Sequence, residues 1–379
     1  MASFVTYTLD LFNGSNVTGG NKRFKELIWS VAELGDSIHL FLPYESAFPE
    51  HENIHRHYIK KPKFKFLPAG FLSFFLNFKK LRTIRKMNYD KVILVSVPYG
   101  IQGAVLGLPK ITLILWDDFI VCRKMLSRQK KFKRLYALIL PILLFIENTA
   151  LKKAEQIIVQ CLYDKKQIVK RHKKLSKAIE NKTHILHNDV NPLWIKEYKN
   201  LIPKENTAVV KSPANIFFIG NMNDERKGLH LLLEAAIKLL SNRYNIRLKI
   251  IGSGKLFPFY QEQYSGFEEI EFLGYVSDPV IKLAEADLLV VPSLVDSFPN
   301  TIMEGLFLEI PVIGSRRGGI PEMLQYEELL FEPEEEALFT KIAGMIDENL
   351  FESYRQLCVH RKNALTFDWG VEMKKLLKS

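Results

Sequence analysis

Apolar positions along this chain come in unbroken blocks rather than alternating singly. "DKVILVSVPYG" (90–100), "KITLILWDD" (110–118), "AEQIIVQC" (154–161), "ADLLVVPS" (286–293) and "IPVIGS" (310–315) each hold an apolar run of strand length. A strand with one wet face alternates, so continuous runs predict parallel strands covered on both faces. The chain opens with strand-like "SFVTYTLDLF" (3–12), turn-rich "NGSNVTGGN" (13–21), a helix ending near Gly35, and the strand "SIHLFLP" (37–43). The pattern restarts later: "NIFFIGN" (215–221), an amphipathic "KGLHLLLEAAIKLL" (227–240), "IRLKIIGSG" (246–254) and "IEFLGYV" (270–276). Strands alternating with helices predict doubly wound α/β sheets. Residues 184–215 lose the period and gain prolines, which predicts a linker, and 379 residues exceed what one ordinary core holds.

The stretch "VPSLVDSFPNTIMEGL" (291–306) carries the most chemistry. Ser297 as cap, Pro299 at the first helical position and apolar spacing from Thr301 to Leu308 predict a helix, leaving Asp296 in the loop and Glu304 inside. That loop follows a parallel strand, at the end of the sheet where open α/β folds bind ligands. A helix amino terminus offers unpaired N–H groups and a positive dipole end, which suit a diphosphate. Small Asn300 and Thr301 would let the anion approach, and Asp296 and Glu304 would accept hydrogen bonds from sugar hydroxyls. The same two acids are also consistent with a capping Asp and a solvated helix Glu. Near the amino terminus, Gly19 and Gly20 would let a ligand approach backbone, or simply form a loop.

Charge adds a second theme. The net charge is +11, but residues 1–190 hold 32 Lys+Arg against 15 Asp+Glu, whereas residues 191–379 hold 21 against 27. A basic half attracts anionic surfaces. Bases and phenylalanines interleave over 60–91, and bases recur over 123–134 just ahead of the apolar "LYALILPILLFI" (135–146). Clustered aromatics with bases on their flanks predict a membrane-surface helix; core helices with solvated charges, or single-stranded nucleic acid, are the other readings. The apolar run is too short to span a bilayer and predicts a buried or surface-lying helix. Three scattered cysteines suit reduced thiols rather than disulfides or zinc, and no basic–apolar leader opens the chain. Asn-x-Ser/Thr triplets at Asn13 and Asn16 carry little weight in a cytosolic chain.

Taken in order, "TGGNKR", "ILHNDVNPLW", "IGN…ERKG", "IIGSG", "FLGYV", "VPSLVDSFPNTIMEGL", "IPVIGSRRGGIPEML" and "FDWGVEMKKLL" resemble glycosyltransferase family 4, retaining enzymes of the GT-B fold. The resemblance implies two Rossmann-like doubly wound domains facing a cleft: an acceptor-side domain at 1–190, a nucleotide-sugar domain at 191–363, and a last helix, 364–379, returning to the first. It implies a nucleotide-diphosphate sugar as donor, a saccharide or lipid-linked saccharide as acceptor, hexosyl transfer without metal or other cofactor, and a role in cell-surface polysaccharide synthesis. The expected place is the cytoplasm, at the inner face of the membrane through contact with anionic lipid, with no nucleic acid as partner. Lys227 falls on the family's diphosphate lysine, offsetting charge on the leaving group. Asp296 falls near the donor sugar and Glu304 on the ribose. Gly19, Gly20, Asn221, Arg226, Val276, Asn300 and Thr301 complete the expected donor contacts. This chain departs from the family in having Asp296 for Glu, Asn221 where Arg is usual, with Arg226 as a substitute, and Trp116–Asp117–Asp118 where His is frequent. Asp117 is the resulting acceptor-side candidate; a helix-capping role for Asp117 and Asp118 is the alternative. His187 reads as a loop histidine and Trp369 as packing. A GT-B epimerase and a non-enzymatic basic protein binding lipid or nucleic acid are the rival functions.

Overall fold

The computed structural model describes residues 1–9, 19–61, 69–126, 130–202 and 212–379, with side chains for all of these except 69–72, 125–126 and 130–135. Most of the 13–21 turn, with Asn13 and Asn16, and parts of the basic stretches 60–91 and 123–134 lie outside the described residues. The chain divides into two units: residues 1–186 with 368–379, and residues 187–367. The sequence reading put these boundaries at 190/191 and 363/364.

The first unit holds strands β1 (Ser3–Tyr7), β2 (Ser37–Pro43), β3 (Ile54–Ile59), β4 (Lys91–Val95), β5 (Ile111–Leu115), β6 (Gln156–Val159) and β7 (Thr183–Ile185), ordered β3-β2-β1-β4-β5-β6-β7. The second holds β8 (Ala214–Ile219), β9 (Ile246–Ile251), β10 (Ile270–Gly274), β11 (Leu288–Val291), β12 (Val312–Ser315) and β13 (Leu330–Phe331), ordered β10-β9-β8-β11-β12-β13. Every neighbouring pair in both sheets is parallel. The first six strands of each unit thus follow one doubly wound order, built outward in both directions from the first strand. Apolar blocks became central strands because both faces are covered: Leu113, Val92, Leu288, Leu289 and Val312 are wholly buried.

Three strands escaped the sequence reading for the same physical reason. β3 lies at a sheet edge and reads "IHRHYI", with polar residues among its apolar ones, while β7 and β13 are only three and two residues long. None contains an apolar block. The run 135–146 lies within one helix, Lys130–Lys153, with Pro141 inside it. Leu138, Ile142 and Phe145 are exposed on that helix, at 75%, 59% and 67%, so it is not a buried helix at these positions. Among the described residues no helix is long and apolar enough to cross a membrane.

The last helix, Trp369–Lys378, packs into the first unit. Trp369, Met373 and Leu377, one face of it, are buried, each contributing on the order of 2 kcal/mol of apolar burial. Lys374 and Lys378 each reach the buried Asp36 carboxylate at 3.1 Å, and Gln156 donates to the Leu376 carbonyl at 2.7 Å. A Cβ on Gly370 would stand 2.7 Å from that of Ser30, so a side chain there would push this helix off its neighbour Gly19–Glu33.

Candidate functional site

In the second sheet β8 and β11 are neighbours, yet the chain leaves them in opposite directions, β8 towards β9 and β11 towards β12. Loops that diverge in this way leave a crevice at the carboxyl ends of the two strands. The loop after β8 carries Lys227, in a one-turn 3-10 helix Glu225–Lys227; the loop after β11 carries Asp296. Across the crevice the Lys227 ammonium donates to Oδ2 of Asp296, whose other contact there is the Ser293 hydroxyl at 3.4 Å. Two residues distant by 69 positions, singled out for opposite charges, therefore form one ion pair. Both side chains are mostly buried, 22% and 14% exposed, which strengthens the attraction over that of a surface pair.

Glycines bring these loops together at backbone contact. Gly228 has φ +71, and a Cβ on it would meet the Pro292 carbonyl oxygen at 1.9 Å. Gly318 has φ +61, and a Cβ would meet the Asp296 carbonyl oxygen at 1.8 Å. The same carbonyl accepts from the N–H of Gly319 at 3.0 Å, and the Leu294 N–H donates to the Arg226 carbonyl at 2.8 Å. Only a residue without a side chain permits either approach. Gly228 also separates the Lys227 turn from the helix Leu229–Ser241, which is why the helix starts two residues later than its apolar spacing suggests.

The helix after Asp296 runs Asn300–Phe307, with Pro299 as its cap residue and no side-chain cap. Ser297 is therefore not the cap, and Pro299 is outside the first helical position; Ser297 is buried instead. The cap residue thus offers no side-chain acceptor to the first-turn N–H groups, among them those of Asn300 and Thr301. Glu304 is only 6% exposed, so it is no solvated helix glutamate. Both bland readings of the two acids fail on this geometry.

The remaining candidates fall as follows. Asn221, exposed, accepts from the Asn223 N–H at 2.8 Å in the loop after β8. Arg226 donates its backbone N–H to Asp224 at 2.9 Å, its guanidinium lying 3.9 Å from the same carboxylate. Val276 is half-buried just beyond β10. Gly19 and Gly20 are exposed and open the helix Gly19–Glu33 of the first unit. Asp117 is exposed after β5, near the Arg123 guanidinium; burial lowers the Arg123 pKa, and Asp117 acts against that. Asp118 caps the helix Phe119–Leu126, accepting from the N–H groups of Ile120 and Val121, and pairs with Arg171 at 3.0 Å. The capping alternative thus holds for Asp118. Sequence reasoning passed over Ser293, Gly318 and Gly319 at the Asp296 loop; the paired glycines of "RRGGIPEML" were the available signal.

Residues 213–348, all within the second unit, match the family described as "Glycosyl transferases group 1". A putative colanic acid biosynthesis glycosyltransferase of Salmonella typhimurium, WcaL, is 30% identical over 145 residues, 34% of this chain and 36% of the relative. An uncharacterized glycosyltransferase of Methanocaldococcus jannaschii, MJ1607, is 26% identical over 182 residues, 44% and 46% of the two chains. The chain thus spans less than half the length of these curated relatives. Solved structures match throughout: sucrose-phosphate synthase from Thermosynechococcus elongatus at TM-score 0.76 and 16% identity, over 100% of this chain and 98% of that one. HepE from Anabaena, solved with UDP and glucose, matches at TM-score 0.72 and 16% identity over the whole of both chains. The fold is that of the GT-B glycosyltransferases: two parallel-sheet α/β domains.

Proposed function

We propose that this chain is a retaining glycosyltransferase that moves a hexosyl group from a nucleotide-diphosphate sugar to a saccharide or lipid-linked saccharide, in the making of a cell-surface polysaccharide. The observation that carries the reading is the Lys227–Asp296 pair spanning the β8/β11 crevice beside an uncapped helix mouth. A diphosphate there would meet the N–H groups of Asn300 and Thr301 and the Lys227 ammonium, with Asn221, Arg226 and Val276 on the neighbouring loops. As the sugar–phosphate bond breaks, negative charge grows on the diphosphate, and fixed positive groups favour that state over the ground state. Asp296 then has two tasks: it orients Lys227, and it accepts from a hydroxyl of the donor sugar. Glu304 receives the ribose hydroxyls. Chemistry of this kind needs no metal. The HepE structure with UDP and glucose, and the polysaccharide-related name of the Salmonella relative, support donor class and setting.

The basic first half and the exposed Leu138, Ile142 and Phe145 support a resting place on anionic membrane at the cytoplasmic face, where a lipid-linked acceptor would be at hand. Titration calorimetry against UDP, GDP and ADP is the decisive measurement: one of them binds, and Glu304→Ala weakens it. If none binds at millimolar concentration, or Glu304→Ala and Lys227→Ala both bind like the parent, the site is misassigned. Turnover of a nucleotide-sugar without acceptor into an epimer would favour the epimerase instead.

A further inference from the structure

The chain passes from the first unit to the second at residues 186 and 187, and the first residue of the second unit makes an unusual contact. The His187 imidazole lies flat on the Phe298 ring, centroids 5.1 Å apart and planes 14° from parallel. Its edge is used as well: Nε2 lies 2.7 Å from Oε1 of Glu322, and since a carboxylate only accepts, Nε2–H donates. One side chain therefore ties two separate elements, the 295–299 segment and the helix Ile320–Leu324.

Both elements converge on Asp296. Phe298 is two residues beyond it and two before Asn300, and its ring is 3% exposed, so the imidazole takes part in closing it off from water. Glu322 follows Gly318 and Gly319, which press on the Asp296 carbonyl and hydrogen-bond to it. Lys227 and Ser293 hold the carboxylate from the remaining side. A leucine would fill the space over Phe298; only a planar ring with a polar edge can stack there and bind Glu322 too.

We propose that His187 is a positioning residue for the anion cradle: by stacking on Phe298 and binding Glu322 it fixes the segment that presents Asp296 and the Asn300 and Thr301 N–H groups to a nucleoside diphosphate. The proposal rests on the reading of the site given above. Anchoring lowers the ordering cost that binding would otherwise meet, so its loss appears as weaker binding by a protein that is still folded.

The test is calorimetry with whichever of UDP, GDP or ADP the parent chain binds, with thermal unfolding of each variant read without nucleotide. His187→Ala is expected to bind roughly tenfold more weakly, the order of one aromatic contact plus one hydrogen bond to a charge. His187→Phe keeps the stack and Glu322→Gln keeps an acceptor, so each should lose only about threefold; these two carry the test should His187→Ala fail to fold. A rank order with Ala weakest and Phe and Gln between it and the parent supports the clamp. If the variants unfold earlier but bind within about twofold of the parent, His187 is packing only and the inference falls while the site assignment stands. A parent chain that binds no diphosphate removes both.

Discussion

The two sheets share one strand order and so have two equivalent crevices, β1/β4 in the first unit and β8/β11 in the second, but they are furnished differently. The second is bridged by charge: the Lys227 ammonium on the Asp296 carboxylate, with loops locked by Gly228 and Gly318. The first is bridged by phenols. The Tyr99 hydroxyl accepts from the Leu9 N–H at 2.9 Å, the Tyr7 hydroxyl donates to the Tyr99 carbonyl at 3.3 Å, and the rings meet edge to face at 5.4 Å. Burial, with Tyr99 adding to it, pushes the Tyr7 pKa well above the ordinary phenol value, so Tyr7 stays neutral. One buried charge cluster of the first unit stands a strand away, beyond β5, and is consumed internally. Arg171 pairs with both Asp118 and Glu147, and His172 reaches Glu147 at 2.7 Å. One topology thus supplies two equivalent places, and the side chains furnish one with an ion pair and the other with paired phenols.

The largest expected effect breaks the charged bridge. Lys227→Ala should cut donor turnover by about 10²- to 10³-fold, as loss of one preorganised donor does elsewhere. Lys227→Arg should recover only part, because a planar guanidinium does not replace a point charge in a cavity fitted to it. Initial rates of nucleotide release from a donor panel read this; equal rates for Ala and parent would mean the two crevices do not differ in function.

Removing charge from the first unit should do the reverse. Glu147→Ala takes the carboxylate that Arg171 and His172 share, leaving Arg171 only Asp118, and should cost about 3 kcal/mol in denaturant unfolding, with diphosphate affinity unchanged. Acid offers a milder version. Burial opposes ionisation of Glu147, but hydrogen bonds from His172 and Arg171 outweigh it and hold its pKa below the ordinary 4.5. A lowered folded-state pKa means the contribution is complete above the unfolded value of 4.5 and is lost as pH falls through the folded one. Unfolding midpoints followed from pH 6 downward should fall beneath about pH 4.5 in the parent and fall less in Glu147→Gln. A parallel fall in both would assign the acid sensitivity to other groups.

What the sequence made legible follows the same division. The charged crevice could be read because its parts are local and chemically distinctive: an acid before a proline, an acid eight residues on, a lysine before a glycine. Only their meeting was hidden, since nothing in "ERKG" says that its lysine lands on Asp296. The phenolic crevice was illegible. Tyr7 falls within an ordinary strand pattern and Tyr99 near the end of the block 90–100, and a tyrosine at such positions reads as packing. Asp118 and Asp117 show the limit most plainly: adjacent in sequence, one is buried in a cap and ion pair while the other is exposed. Arg171, which decides between them, is 53 residues away. The helix start after Pro299 was misplaced because a proline fits both the cap and the first helical position, and backbone dihedrals rather than composition choose.

The smallest change sharpens the contrast most. Tyr99→Phe removes one oxygen and leaves the ring that meets Tyr7. The Leu9 N–H loses its acceptor, and a partly buried donor without one costs on the order of 1 kcal/mol. Unfolding of the first unit should be easier by that amount, and UDP, GDP or ADP affinity should not move, because the bond belongs to the β1/β4 crevice alone. Hydrogen exchange gives the local reading: the Leu9 amide should exchange faster in Tyr99→Phe, while amides of the Asn300–Phe307 helix keep their parent rates. If diphosphate affinity fell with Tyr99→Phe, the phenolic crevice would have to take part in holding the donor. The division between a charged site in one unit and a neutral brace in the other would then be wrong.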